Sequence, residues 1–242
     1  MTVSRSDDNS IAHTVRCISD HIREACVSCG RNPADVRFMA VTKTVDAARV
    51  NEAIDAGITL LGENKAQELC AKYEDYHKSG VEIHFIGHLQ TNKVRQIIDK
   101  VTMVQSLDSI PLAEELQRQC EKHQKHLDCL VEVNIGEEQT KSGILPELLP
   151  RFLEQMTNFD RIHVRGMMAI PPICEDIVQK EHYFSSMYQL FIDIGEKKID
   201  NINMDFLSMG MSDDYSIAIK HGSNLVRIGS ALFGRRNYPN KI

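Results

Sequence analysis

Short apolar segments alternate with longer amphipathic segments along most of this chain. Several of the short segments are apolar almost throughout, as expected of parallel strands that are covered on both faces. Eight such segments are predicted as strands, and they comprise residues 36–41, 58–61, 83–86, 103–106, 129–135, 164–170, 206–209 and 225–228.

Helical patterns lie between these segments and before the first of them. Apolar residues recur at helical spacing from Ile11 to Cys29, where Asn9 or Ser10 provides the N-cap and Gly30 the stop. The other helical patterns span residues 112–120, 148–156, 177–194 and 213–221. The sequence therefore predicts an extra N-terminal helix followed by a series of strand–helix units.

This alternation predicts an α/β fold. Eight strand–helix units fit a closed (β/α)8 TIM barrel, whose usual size is about 250 residues. A doubly wound open sheet is the competing fold, since alternation alone does not reveal whether the sheet closes. The chain has no linker rich in Pro, Gly or Ser, so residues 1–242 are predicted to form a single domain. In a barrel, functional groups are expected at the carboxyl ends of the strands.

Composition and charge narrow the class of protein. The 242 residues include 42% hydrophobic and 26% charged residues, which are ordinary values for a globular protein. The net charge of −6 argues against duplex nucleic acid or an anionic membrane as the main partner. The N-terminus shows no secretory signal, and no stretch approaches the roughly 18 apolar residues of a membrane helix. With an odd number of cysteines, seven, these features predict a cytoplasmic protein with reduced thiols.

A lysine follows the first predicted strand. Lys43 stands between two threonines directly after the apolar residues 36–41. Its long side chain can reach solvent, which is the ordinary role of a lysine at a strand end. Alternatively, burial lowers the pKa of a lysine amine, and a neutral amine can form a Schiff base with an aldehyde. Lys43 by itself does not decide between these roles.

Small and hydroxyl residues follow the last two predicted strands. Ser208 and Ser212 lie around the end of the seventh, and Gly229 and Ser230 follow the eighth. Backbone N–H groups at two adjacent helix starts, with hydroxyls beside them, form a cradle for an anion. Barrels often bind phosphate at these two loops. The alternative is a pair of ordinary glycine turns, in which Ser212 caps the helix predicted at residues 213–221.

Two further polar residues stand within or directly after predicted strands. Arg227 lies inside the eighth, and an arginine in a barrel requires an anion or a planar polar partner. A core carboxylate would satisfy it, and so would a ring nitrogen or a carboxylate of a bound ligand. Asn64 belongs to a polar turn after the second strand, where helix capping and ligand contact are both open.

The motifs that contain these residues together resemble the YggS/PROSC family of pyridoxal-phosphate-binding proteins, also called pyridoxal phosphate homeostasis proteins. The similarity extends from Val36 to Tyr238. Each motif alone is weak, but the set is highly specific. The motifs are AVTKT (40–44), LGENKAQEL (61–69), HFIGHLQTNK (84–93), VQSLDS (104–109), VNIGEEQTKSGI (133–144), RGMMAIP (165–171), LSMGMSDD (207–214) and VRIGSALFGRRNY (226–238).

The resemblance implies a barrel of the alanine racemase N-terminal-domain type that binds one pyridoxal 5′-phosphate (PLP) at its mouth. Lys43 matches the lysine that forms an internal aldimine with PLP, and Arg227 matches the arginine that faces the pyridine nitrogen. The remaining cofactor-binding residues that the resemblance implies are Asn64 beside the ring and Ser208, Ser212, Gly229 and Ser230 around the phosphate. Which of the two serines contacts the phosphate stays open.

The implied function is a carrier in intracellular vitamin B6 homeostasis, which holds PLP as an aldimine on Lys43 without catalytic turnover. An arginine at the pyridine nitrogen disfavours protonation of the ring, which weakens the ring as an electron sink. Racemases of this barrel type also have a C-terminal β-domain, which the few residues after Tyr238 are too short to form. The alternative is a weak PLP-dependent racemase or related enzyme with His88 or Lys141 as a second base.

The expected partners are PLP and the PLP-dependent apoenzymes that would receive it, and the chain is expected to be a monomer. No metal site is predicted. Cys26 and Cys29 form a CxxC pair near a helix end, but a second pair for zinc and a thioredoxin-like βαβ context are lacking. His84 and His88 would have a metal-binding spacing only on a helix, whereas their segment is predicted as a strand.

Overall fold

The strands of this protein close into a barrel. The computed structural model describes residues 10–234. All strands are parallel, each pairs with the next in the sequence, and the last pairs with the first. This closure confirms the predicted (β/α)8 barrel and excludes the open sheet. The strands are β1 Arg37–Val41, β2 Leu60–Glu63, β3 Glu82–Phe85, β4 Met103–Leu107, β5 Leu127–Val133, β6 Ile162–Ala169, β7 Ile202–Ser208 and β8 Leu225–Ile228.

Helices surround the barrel, and the extra N-terminal helix is present. Ser10 caps this helix, since its hydroxyl accepts a hydrogen bond from the His13 backbone N–H, and Gly30 follows its end with a φ of 73°. The helices are α1 Ile11–Ser28, α2 Ala47–Asp55, α3 Ala66–Lys72, α4 Val94–Ile97, α5 Ile110–Lys122, α6 Leu149–Met156, α7 Ile177–Glu196, α8 Tyr215–Lys220 and α9 Ser230–Phe233. Helix α1 packs against α2, α8 and α9.

The apolar core has two parts, which explains why the strands are apolar on both faces. The larger part lies between the strands and the surrounding helices. The smaller part fills the interior of the barrel in two clusters. Met39, Leu60, Ile86 and Leu225 pack together in one, and Met103, Leu130 and Met168 form the other. Both faces of most strands are therefore buried, as the continuous apolar runs predict.

Some predicted boundaries differ from the observed ones. Strand β7 begins at Ile202, four residues before the predicted start. The prediction missed its first half because the side chains there alternate between more buried and exposed positions. Strand β5 begins at Leu127 rather than at residue 129. Both strand segments lack the continuous apolar pattern on which the prediction depends. Ile177, the first residue of α7 and of the predicted helical pattern, is 59% exposed.

Two negative observations concern residues 10–234. No helix in this range is long and apolar enough to span a bilayer. The same range contains no group of three or more His, Cys, Asp or Glu residues that could hold a metal ion. The seven cysteines are all free thiols, including Cys26 and Cys29 at the end of α1.

Candidate functional site

A cavity of about 360 Å³ opens at the carboxyl ends of the strands, and the residues that line it lie at the ends of β1, β2, β3, β6, β7 and β8. This volume is within the range of small-molecule sites in proteins. Apolar side chains and a few polar groups line it together: Val41, Lys43, Asn64, Ile86, Ile170, Met211, Ser212, Asp213, Arg227, Gly229 and Ser230. Six of the seven residues predicted as cofactor-binding are thus brought together at one cavity, and Ser208 is not among its lining residues.

Lys43 lies two residues beyond the end of β1 and is half-buried. The following residue, Thr44, has a φ of 63°, in the left-handed region that non-glycine residues rarely occupy. The backbone N–H of Thr44 donates a hydrogen bond to Glu68 Oε1. The chain therefore turns sharply at Lys43 and is fixed directly after it.

Arg227 projects from β8 into the barrel and is 3% exposed. Its Nη1 donates to Ser208 Oγ at 2.7 Å, and its Nη2 donates to the Ala169 carbonyl at 3.0 Å. Burial lowers the pKa of Arg227 to about 10, and the nearby Glu132 and Asp214 carboxylates act in the opposite direction. The guanidinium remains a cation near neutral pH, with two of its donors used to fix its orientation.

A chain of buried hydrogen bonds leads from Arg227 through the interior of the barrel. Ser208 accepts from Arg227 and donates to Gln105 Oε1 at 2.7 Å. The amide Nε2 of Gln105 donates to His84 Nδ1 at 2.9 Å. Because Nδ1 accepts, the neutral ring of His84 carries its proton on Nε2. His84 Nε2 faces Glu82 Oε2 at 3.4 Å. Burial lowers the pKa of His84, so the ring is neutral at pH 7.

Ser212 has a different hydrogen-bonding role from Ser208. Its Oγ accepts from the backbone N–H groups of Gly229 and Ala231, both at 3.2 Å. A hydroxyl with both lone pairs in use retains its own O–H to donate, and a donor suits an anion. The prediction that Ser212 caps the following helix is wrong, because α8 begins only at Tyr215 and the serine bonds to the loop after β8.

Asn64 carries an unsatisfied polar atom at the cavity. Its side-chain Oδ1 is buried and has no hydrogen-bond partner in the structure. A buried acceptor without a partner is costly, and Asn64 is also one of the residues that line the cavity. A Cβ on Gly87 would lie 2.2 Å from the Asn64 carbonyl oxygen, so glycine is required there for Asn64 to keep its position.

Comparisons with known proteins show which family this chain belongs to. Residues 9–237 match the family model described as alanine racemase, N-terminal domain. A pyridoxal phosphate homeostasis protein of Aquifex aeolicus is 38% identical over 221 residues, which cover 91% of this chain and 96% of that protein. The chain belongs to the pyridoxal phosphate homeostasis protein family.

Two solved structures resemble this family member closely. A protein of unknown function from Bifidobacterium adolescentis has a TM-score of 0.88 and 31% identity, and the match covers 96% of this chain and 98% of that one. PipY of Synechococcus elongatus, in a structure with PLP bound, has a TM-score of 0.77 and 28% identity. That match covers 88% of this chain and all of PipY.

Glu132 is a buried carboxyl group that the sequence analysis missed. It lies in β5, and the nearby charges that act on its pKa are those of Asp108 and Arg227. Burial, together with Asp108, raises the pKa of Glu132 to about 7, and Arg227 partly opposes this. A charged residue inside a mainly apolar strand was the available signal, as it was for Arg227 in β8.

The two candidate second bases lie at the carboxyl ends of other strands. His88 is 59% exposed on its side chain, and its Nδ1 is 3.4 Å from Asp108 Oδ2 and 3.3 Å from Ser142 Oγ. Lys141 forms an ion pair with Glu138 at 2.5 Å. Neither lines the cavity that contains Lys43. The motif that ends at Tyr238 continues beyond residue 234 and so lies partly outside the described residues.

Proposed function

We propose that this protein binds PLP in the cavity beside Lys43 and acts as a carrier in PLP homeostasis, in a single barrel domain. The observation that carries the proposal is the convergence of a lysine amine, a buried arginine and a hydroxyl donor on one cavity of about 360 Å³. Family membership supports it, since relatives are named pyridoxal phosphate homeostasis proteins and PipY has been solved with PLP bound.

The groups in the cavity match the parts of PLP. Ser212, Gly229 and Ser230 lie together on one side and would hold the phosphate, with the Ser212 O–H as donor. Arg227 would donate to the pyridine nitrogen, and Asn64 would lie beside the ring. Ser208 is fully buried and acts indirectly, because its hydroxyl fixes the guanidinium of Arg227.

Lys43 provides the reactive group of the protein. When bound, PLP supplies an aldehyde carbon, and attack by a primary amine forms a carbon–nitrogen double bond with the loss of one water. The Lys43 amine is the group of the cavity that can do this. Covalent attachment would keep the aldehyde from reacting with other amines, and exchange with a free amine would release it.

Arg227 argues for storage rather than catalysis. A cation that donates to the pyridine nitrogen disfavours a proton on that nitrogen, because two positive charges would face each other. The ring is then a weaker electron sink, whereas racemisation relies on the ring as an electron sink. His88 and Lys141, the candidate second bases, lie outside the lining of the cavity. We therefore infer binding without catalytic turnover.

The proposed partners are PLP-dependent apoenzymes that receive the cofactor. We propose a cytoplasmic location, which the seven free thiols support because a reducing compartment keeps thiols free. The negative charge of the chain, −6, makes nucleic acid and anionic membranes poor partners. The monomer expected from the sequence remains our proposal for the oligomeric state.

Transfer and exchange experiments test this function together. The PLP-loaded protein is mixed with a PLP-dependent apoenzyme, and the recovery of that enzyme's activity is followed. In parallel, the loaded protein is incubated with a set of amino acids in D₂O, and α-proton exchange is followed by NMR. We expect recovery of apoenzyme activity without exchange. Exchange above the rate of free PLP would support the racemase alternative and contradict the carrier function.

A further inference from the structure

Lys72 lies beneath the segment that carries Lys43. It is the last residue of α3, and its side chain is only 13% exposed. Its Nζ donates to the Thr42 carbonyl at 2.9 Å and to the Val45 carbonyl at 3.1 Å. These carbonyls lie on the two sides of Lys43, so one ammonium group holds the segment at both ends.

Two carboxylates complete this cluster. Glu63 Oε1 and Glu68 Oε1 each lie 2.8 Å from Lys72 Nζ. Glu68 Oε1 also accepts from the backbone N–H of Thr44, and Glu63 Oε1 accepts from the Thr42 hydroxyl at 2.7 Å. The carboxylates therefore bind the residues directly before and after Lys43, while the ammonium binds both carboxylates.

The conformation of Thr44 depends on this cluster. A φ of 63° is sparsely populated for a β-branched residue and persists only where the surroundings enforce it. The bond from Thr44 N–H to Glu68 and the anchoring of the Val45 carbonyl by Lys72 provide that enforcement. Release of these contacts would let the backbone relax, and the Lys43 side chain would start from a different position.

The cluster is placed for positioning rather than for contact with a ligand. Lys72, Glu63 and Glu68 are not among the residues that line the cavity. A buried ion pair is also weak evidence for a role in stability, because the removal of both charges from water offsets much of their attraction. What distinguishes this ion-paired cluster is its position around Lys43.

We propose that Lys72 is a positioning residue, which with Glu63 and Glu68 fixes the backbone around Lys43 so that its amine is aimed into the cavity. This inference rests on the proposed function, since it assumes that Lys43 attacks the aldehyde of PLP. It predicts that loss of Lys72 slows covalent attachment while the groups that hold the phosphate and the ring stay in place.

Two ligands separate attachment from binding. PLP reports covalent attachment, followed as the rate at which borohydride traps a pyridoxyl group on the protein. Pyridoxine phosphate has the same ring and phosphate but an alcohol in place of the aldehyde, so its Kd reports binding alone. The full-length protein is compared with Lys72→Met and with a matched control, Lys125→Met. Lys125 also donates to two backbone carbonyls, those of Ile98 and Val101, in a different part of the fold.

We expect Lys72→Met to slow attachment by about 10- to 100-fold, because misplacement of a reacting group by about 1 Å can have this effect. The Kd for pyridoxine phosphate should stay within about twofold, and Lys125→Met should leave both quantities unchanged. Attachment of Lys72→Met at the wild-type rate, or equal losses in attachment and in pyridoxine phosphate binding, would overturn the proposal.

A second variant covers the case in which Lys72→Met does not fold. Glu68→Ala removes the acceptor of the Thr44 N–H but leaves the ion pair between Lys72 and Glu63. It is judged by the same two quantities and must also slow attachment selectively. If the wild-type protein binds no PLP or does not attach it, the proposed function itself fails, and that result is distinct from any result on the variants.

Discussion

The Ser208 hydroxyl joins Arg227 to the interior of the barrel, since it accepts from Arg227 Nη1 at 2.7 Å and donates to Gln105 at the same distance. Both its donor and an acceptor lone pair are in use. Ser212, by contrast, accepts two backbone N–H groups and keeps its own donor at the cavity. Two serines from one sequence motif thus have separate roles, one in orienting the arginine and one in offering a hydrogen bond.

Alanine substitution of the two serines should therefore have different effects on the binding of phosphorylated and unphosphorylated ligands. Ser212→Ala removes a donor to a charged phosphate, worth about 1.5–3 kcal/mol, so the Kd for pyridoxine phosphate should rise by about 10- to 100-fold. The Kd for unphosphorylated pyridoxine should not change. Equilibrium dialysis with both compounds measures the two constants, and an equal loss for both would contradict a phosphate-binding role of Ser212.

Ser208→Ala should weaken the binding of pyridoxine phosphate and of pyridoxine by a similar factor. The substitution loosens the guanidinium of Arg227 and leaves the groups proposed to bind the phosphate intact. It also leaves Gln105 Oε1 without its donor inside the barrel. We expect the free energy of unfolding to fall by about 1–3 kcal/mol in urea titrations. A selective loss of pyridoxine phosphate binding would instead show that Ser208 acts on the phosphate.

Glu132 should make the stability of the protein depend on pH. Its pKa is raised from 4.5 to about 7, so the folded state holds a proton that the unfolded state has released between these values. Its contribution to stability is complete below pH 4.5 and is lost as the pH rises through about 7. A shift of about 2.5 units corresponds to about 3 kcal/mol.

Glu132→Gln tests this dependence, because the amide does not titrate. The free energy of unfolding is measured by urea titration at pH 5 and at pH 8, without added PLP. Relative to the wild-type protein, that of the variant should rise by a few kcal/mol from pH 5 to pH 8. The difference between the proteins is the relevant quantity, since the lowered pKa of His84 gives both proteins an opposite slope at low pH. A constant difference from pH 5 to pH 8 would exclude a titrating Glu132.

Gly87→Ala should disturb the cavity through Asn64. The added Cβ would lie 2.2 Å from the Asn64 carbonyl oxygen, so the backbone at the cavity has to move. We expect a loss of stability of about 1–3 kcal/mol and weaker binding of pyridoxine phosphate.

Gly195→Ala is the control for this substitution. Its Cβ would lie 3.5 Å from Met204 Cβ, an ordinary contact, in the helix α7. Alanine is preferred over glycine inside a helix by about 0.5–1 kcal/mol, so this variant should be slightly more stable and bind normally. Normal binding by Gly87→Ala would show that the position of Asn64 does not matter for the ligand.

The strands and their order could be predicted because a parallel barrel buries both faces of each strand. The prediction is weakest where this condition fails, as in the first half of β7, where Asn203 and Asp205 point outward to solvent. The candidate site residues were sought at the carboxyl ends of the strands, because barrels carry their functional groups there. Lys43 and Ser212 follow buried strands and Arg227 lies within one, so the pattern made these polar residues candidates. Their roles toward PLP came from the family resemblance and stay predictions.

The contacts between distant residues could not be predicted. The chain from Ser208 to Gln105 and His84 requires the register of three strands around a closed barrel, which the sequence pattern does not contain. The cluster of Lys72 beneath Lys43 depends on how α3 packs against the loop after β1. Ser212 looked like a helix cap because its local sequence fits one, but the backbone N–H groups of a neighbouring loop bind it instead.

Covalent attachment of PLP to Lys43 is the most direct test of this account. The protein is loaded with PLP, reduced with borohydride and digested, and the peptides are analysed by mass spectrometry, with Lys43→Ala as the control. We predict one dominant pyridoxyl group on the peptide that contains Lys43, together with a visible absorbance band that the control lacks. An unmodified Lys43 with the label spread over surface lysines, and the same spectrum in Lys43→Ala, would contradict the account.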